Sequence, residues 1–159
     1  MLRIAAALVT LAVGATVVAA QNLDAIKQRR DVMRAIAKAG SVPFEMSKGA
    51  APFDLATVQA GLKTYQEEGA KLKNLFPEDS KTGGNTDASP KIWTARSEFN
   101  AAVDGFIANA KAVAAAIKDE ATFKAEYVKA LRSCGACHKE TDGFAPRLGD
   151  SFKKLQTPN

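Results

Sequence analysis

The chain holds two cysteines and one histidine, and all three fall in one run, Cys134-Gly135-Ala136-Cys137-His138. A C-x-x-C-H run is the attachment signal of a c-type haem. Both thiols must reach the two vinyl groups on one edge of the porphyrin, and the adjacent imidazole of His138 then points at the iron as the proximal ligand. Late in a helix, Cys134 and Cys137 share one face, which would lay the ring flat against a bundle core. The same two cysteines could instead serve a periplasmic dithiol oxidoreductase. That chemistry needs a strand leading into the active helix, and no stretch of this sequence alternates with period 2. A structural disulfide closing so small a loop would contribute little. One covalent haem c is therefore the expected cofactor.

The rest of the composition narrows the function class. With its single histidine on the iron, the chain cannot assemble a Ser-His-Asp set. Gly83-Gly84 lacks the Lys-Ser/Thr and helix start of a phosphate loop. Zinc fingers and multi-disulfide scaffolds are excluded by the same cysteine and histidine counts. A one-electron carrier, rather than an enzyme, is what these residues can support.

Positioning three such groups falls to helices. The 159 residues suffice for one ordinary domain, and 47% hydrophobic with 25% charged residues is a globular balance. Four runs repeat apolar residues at steps of three and four. The first is Leu23, Ile26, Met33, Ala37 and Gly40, flanked by Val32 and Ile36, with Pro43 expected to kink or stop it. The second runs from Leu55 through Val58, Leu62, Tyr65, Gly69 and Leu72 to Phe76, with Asp54 as N-cap and Phe76-Pro77 as its close. The third joins Ile92, Arg96, Phe99, Val103, Phe106, Ala110, Val113 and Ile117 behind Ser89 as N-cap and Pro90 at the first helical position. The fourth starts near Asp119 and carries Phe123, Tyr127, Ala130, Cys134 and His138. A polar loop spans 78–89. Short connections make successive helices antiparallel, so the expectation is an all-α, antiparallel four-helix bundle with haem attached near the C-terminal end of the fourth helix.

Residues 1–20 read as a secretory signal peptide. Arg3 precedes an uncharged apolar stretch, Ile4 to Val18, and Val18-Ala19-Ala20 offers small residues for cleavage before Gln21. That stretch is shorter than the roughly 20 residues of a spanning helix. The expected division is a cleaved signal at 1–20, a haem domain at 21–142 and a polar tail at 143–159, with export to a periplasm and no stable membrane insertion.

In the order and spacing of Ile26 to Met33, Pro52-Phe53-Asp54, Leu75-Phe76-Pro77, Ser89 to Trp93 and Cys134 to His138, the chain resembles the cytochrome c′ family, the class II c-type cytochromes. The resemblance covers essentially the whole mature chain. It departs at Asp142, where the family usually carries a basic residue shortly after the haem histidine. The resemblance puts Met33 opposite the iron's open side, as the distal ligand of a low-spin member. The alternative is a five-coordinate, high-spin relative that binds nitric oxide or carbon monoxide. It also implies that Arg29, one helical turn before Met33, lines the haem crevice near a propionate. Phe123 and Tyr127 are expected on the ring or beside it, whereas Trp93 and Phe99 are expected to serve bundle packing. Family members often form homodimers through their first two helices, and Gly61, Tyr65 and Gly69 would let helix two meet a second copy closely.

The net charge is +5, falling to +4 without Arg3. Lys27, Arg29, Arg30, Arg34 and Lys38 make helix one basic, and Lys124, Lys129, Arg132 and Lys139 do the same around the haem helix. There is no dense basic run, and export argues against nucleic acid. A mildly positive rim suits redox partner proteins that are acidic at the docking face.

Overall fold

The computed structural model describes residues 22–139 and 142–145. The signal peptide expected at 1–20, and the tail beyond Ala145, lie outside the described residues. Five α-helices and no strand occur among the described residues: α1 (Leu23–Ser47), α2 (Leu55–Lys71), the short α3 (Lys91–Thr94), α4 (Arg96–Ala116) and α5 (Glu120–Cys134). The four long helices make the bundle, with α1 packed on α2, α2 on α4 and α4 on α5.

Caps set several of these boundaries. Asp54 accepts from the Thr57 N–H at 3.0 Å and opens α2, as expected. Asp119 and Thr122 form a reciprocal capping box at the head of α5. Elsewhere the helices depart from the sequence pattern. Pro43 neither stops nor ends α1, which continues to Ser47 with Pro43 fully buried inside it. Lacking an N–H, Pro43 cannot satisfy the Ala39 carbonyl. That carbonyl meets Gly61 of α2, where an added Cβ would stand 2.8 Å from it. The proline and the glycine thus create one close helix crossing between them. Gly61→Ala should push α1 and α2 apart at a cost of about 1–3 kcal/mol, readable as a lower denaturant midpoint with unchanged slope.

Helix two stops at Lys71 and tightens into a 3₁₀ turn at Leu72–Asn74 before reaching Phe76. The third run is broken at Ala95, so Ile92 sits on α3 and Phe99 on α4. Ser89 still serves its helix start, accepting from the Lys91 N–H at 3.2 Å. Helix five ends at Cys134, leaving His138 beyond it rather than on it.

Two apolar cores result. One holds Met46, Val58, Leu62, Tyr65, Val113, Ile117, Phe123 and Tyr127. The other holds Val32, Leu72, Phe76, Ile92, Phe99, Val103 and Phe144. Trp93 and Phe99 serve packing as expected, edge-on to Phe76 at 5.9 and 4.9 Å. Gly61 faces α1, and Gly69 faces Phe106 and Ile107 of α4, so the small residues of α2 are used within the chain.

Candidate functional site

Protein interiors are normally close-packed, but residues of both cores, Tyr65 of one and Leu72 and Val103 of the other, line an open crevice. A cavity of about 280 Å³ is lined by Met33, Ile36, Tyr65, Val103, Phe106, Cys134, Cys137 and His138 among others, almost wholly apolar. A second, of about 310 Å³, is lined by Arg29, Arg30, Met33, Thr86, Phe99, His138 and Phe144 among others. Both share Met33, Leu72, Val103, Cys137 and His138, so they are two chambers of one crevice. Small side chains at Ala37, Gly40, Ser41 and Ser133 on its wall leave it unfilled. A hollow of this size and polarity is a ligand site.

The three chemical groups reach it from the C-terminal end of α5 and the turn that follows. Phe123, Tyr127 and Ala130 are buried at helical spacing, and Cys134 follows on the same stripe with its thiol 3.7 Å from the Ala130 carbonyl. A tight turn then carries the chain onward, Cys137 and His138 both donating their N–H to the Cys134 carbonyl at 3.3 and 3.2 Å. The imidazole is oriented by a backbone group: Nδ1 of His138 lies 3.1 Å from the Ala145 carbonyl. With Nδ1–H donating there, Nε2 is left with the lone pair a metal needs. Burial lowers the His138 pKa, opposed by the Ala145 bond, which favours the neutral, ligating form.

Burial pushes the Cys134 thiol up to about 11, with Cys137 adding to the rise, and it raises Cys137 as well. A dithiol oxidoreductase attacks with a thiol shifted the other way. Two inert thiols and an imidazole opening on one apolar crevice do fit a covalently attached haem.

Met33 lines both chambers from α1. Arg29 lines the second chamber but is 5% exposed and heavily engaged. Its Nη1 donates to Ser80 Oγ at 3.0 Å and the Leu75 carbonyl at 3.4 Å, and its Nη2 to the Ser80 carbonyl at 3.0 Å and Thr86 Oγ1 at 2.6 Å. The guanidinium also stacks 4.8 Å from the Phe76 ring centre. Phe123 and Tyr127 line neither chamber; they sit in the far core, with Tyr127 donating to the Gly40 carbonyl at 3.4 Å. Tyr65 lines the first chamber instead, a residue the sequence offered as helix stripe and dimer contact. The Ala145 carbonyl could not be read from sequence at all, because a backbone acceptor leaves no residue signature.

Asp142 pairs with Lys91, the first residue of α3. The positive rim is mostly α1. Lys124 and Lys129 of α5 are each paired with a glutamate, and Arg34, which pairs with Asp31, lines the second chamber beside Arg30. No described helix is long and apolar enough to cross a membrane.

Known proteins bring a name to this arrangement. A family profile described as Cytochrome C' matches residues 24–140. The chain is 39% identical to a cytochrome c′ of Rhodopseudomonas palustris, over 87% of this chain and 94% of that one. It is 31% identical to a cytochrome c-556 of the same organism, over 81% and 89%. Among solved structures, cytochrome c′ from Rhodopseudomonas palustris superposes with a TM-score of 0.71 at 40% identity, covering 74% of this chain and 94% of that one.

Proposed function

Because the chain belongs to the cytochrome c′ family, whose members carry one covalently bound haem c, we propose that it is an exported, periplasmic one-electron carrier. In this reading Cys134 and Cys137 would hold the haem by thioether bonds, and His138, through Nε2, and Met33 would supply the ligands of its iron. The observation that carries this reading is that Met33, from α1, and His138, from the turn after α5, line the same two chambers. Bound there, haem c supplies a reversible one-electron couple.

The chain's residues do the rest. His138 is held by Ala145 in the tautomer that ligates. Ile36, Leu72, Val103 and Phe106 exclude water and lower the local dielectric. The thioether of Met33 is a soft, flexible ligand that completes an imidazole–thioether pair. Toward a propionate, Arg29 has Nε–H left over from its contacts to the 75–86 loop. Arg30 and Arg34 at the mouth favour a redox partner acidic at its docking face. Electron exchange with such a partner should slow as salt rises, and a flat response would remove the rim from the account. A homodimer through α1 and α2 is carried over from the family. Leu23 and Val42, the large apolar side chains exposed among the described residues, both lie on α1, and sedimentation at micromolar concentration reads the outcome.

The second reading, a gas-binding five-coordinate protein, draws on the higher identity to cytochrome c′ than to cytochrome c-556. Carbon monoxide separates the two. A Met33-closed site should bind it slowly when reduced, and Met33→Ala should speed association by about tenfold or more, ~1.4 kcal/mol off the barrier. An unmodified protein that binds as fast as the variant is the gas-binding one.

A further inference from the structure

We propose that Lys91 and Asp142 form a clamp that holds the proximal strap, residues 142–145, so that Lys91 is a positioning residue for His138. This rests on His138 being the iron ligand proposed above.

The strap is held from three sides. Lys91 Nζ donates to Asp142 Oδ2 at 2.9 Å and to the Asp142 carbonyl at 3.3 Å. Binding carboxylate and main chain together, the ammonium fixes the backbone of Asp142 as well as its side chain. One residue on, Gly143 fits where nothing larger could, since a Cβ there would stand 2.3 Å from the Lys139 carbonyl. Next, the Phe144 carbonyl accepts from the Ser89 N–H at 2.9 Å, and the Ala145 N–H donates to the Cys137 carbonyl at 3.0 Å. The Phe144 ring lies 5.6 Å from Lys91 Nζ and edge-on to Phe99 at 5.3 Å. The strap then delivers the Ala145 carbonyl to His138 Nδ1 at 3.1 Å.

Asp142 has φ of 60°, the left-handed region that a non-glycine residue rarely occupies without a holding contact. Lys91 supplies that contact from the start of α3, two residues from Ser89, so one helix end grips the strap twice.

As a source of stability the pair is minor, because the Asp142 side chain is 83% exposed and such ion pairs contribute little. Its consequence is positional. Loosening the strap weakens the Nδ1–H···O bond, makes His138 a poorer donor to the oxidised iron, and raises the reduction potential. A purely through-space effect has a different signature. Removing Lys91 would leave the Asp142 charge and lower the potential, whereas removing the Asp142 charge would raise it.

The test compares holoprotein variants Lys91→Gln, Asp142→Asn and Lys91→Arg by potentiometric titration and by amide hydrogen exchange at Ser89 and Ala145. The clamp requires both neutral variants to raise the potential and speed exchange at both amides, with Lys91→Arg close to the unmodified protein. Glu98, 3.7 Å from Lys91 Nζ, is retained throughout, so it cannot mimic the result. Shifts of opposite sign in the two neutral variants, or none, would overturn the clamp. A ferric spectrum of the unmodified protein without histidine ligation would instead undo the His138 assignment itself, before any variant is compared.

Discussion

Changing Cys134 and Cys137 together to alanine should leave a chain that retains no haem through acid–acetone extraction and that unfolds at a much lower temperature. The first loss follows from the chemistry, since no other cysteine exists to take a thioether bond. The second follows from the crevice. At about 24 cal/mol per Å³, an empty chamber of about 280 Å³ corresponds to ~7 kcal/mol. Water entering the open mouth makes this an upper figure. Even half of it is a large fraction of the entire stability of an ordinary domain, about 5–15 kcal/mol. The apo variant should therefore melt more than about 10 °C below the holoprotein and lose sharpness in its transition. Equal melting of the two would mean that the cores close without an occupant.

Arg29→Leu should be the costliest single change on the crevice wall. It removes four hydrogen bonds and takes the Arg29 donor from the carbonyl of the buried Ser80, which is 0% exposed, and from the Leu75 carbonyl, while the Ser80 hydroxyl keeps its bond to Pro77. At about 1–3 kcal/mol for a buried polar group left without its partner, the expected loss is ~3 kcal/mol. Hydrogen exchange should report it locally, with faster exchange through 78–88 and little change in α5. Arg29→Lys should not rescue it, because one ammonium cannot span Leu75, Ser80 and Thr86 in the way a planar fork does. If the variant shifted the reduction potential of the haem but lost no stability, the residue would be a propionate contact and not a loop anchor.

Local chemistry was legible in the sequence and long-range chemistry was not. Asp54 could be read as a cap, and Asp119 as the start of the fourth helix, because a cap acts within three residues. The attachment run could be read because its spacing is dictated by the porphyrin edge. Pro43 misled because the rule that proline ends a helix takes no account of a glycine eighteen positions on that accommodates the freed carbonyl. The break at Ala95 left no mark because alanine favours helix. There the interruption comes from tertiary contacts: Ile92 turns into the core beside Phe76, and Arg96 reaches back to the Phe76 carbonyl. Arg29 read as a crevice residue but not as a loop anchor, since its partners lie 46 to 57 positions away. Phe123 and Tyr127 fit the helical stripe that leads to Cys134, yet the stripe passes from one core to the crevice only at its last turn.

The central claim, that His138 and Met33 close the two sides of one haem in an electron carrier, is tested most directly by the absorption spectrum of the oxidised protein. The account predicts a low-spin ferric spectrum with the far-red charge-transfer band of a thioether–iron(III) bond, and loss of that band in Met33→Ala as high-spin iron appears. A high-spin ferric spectrum in the unmodified protein, unchanged by Met33→Ala, would contradict it.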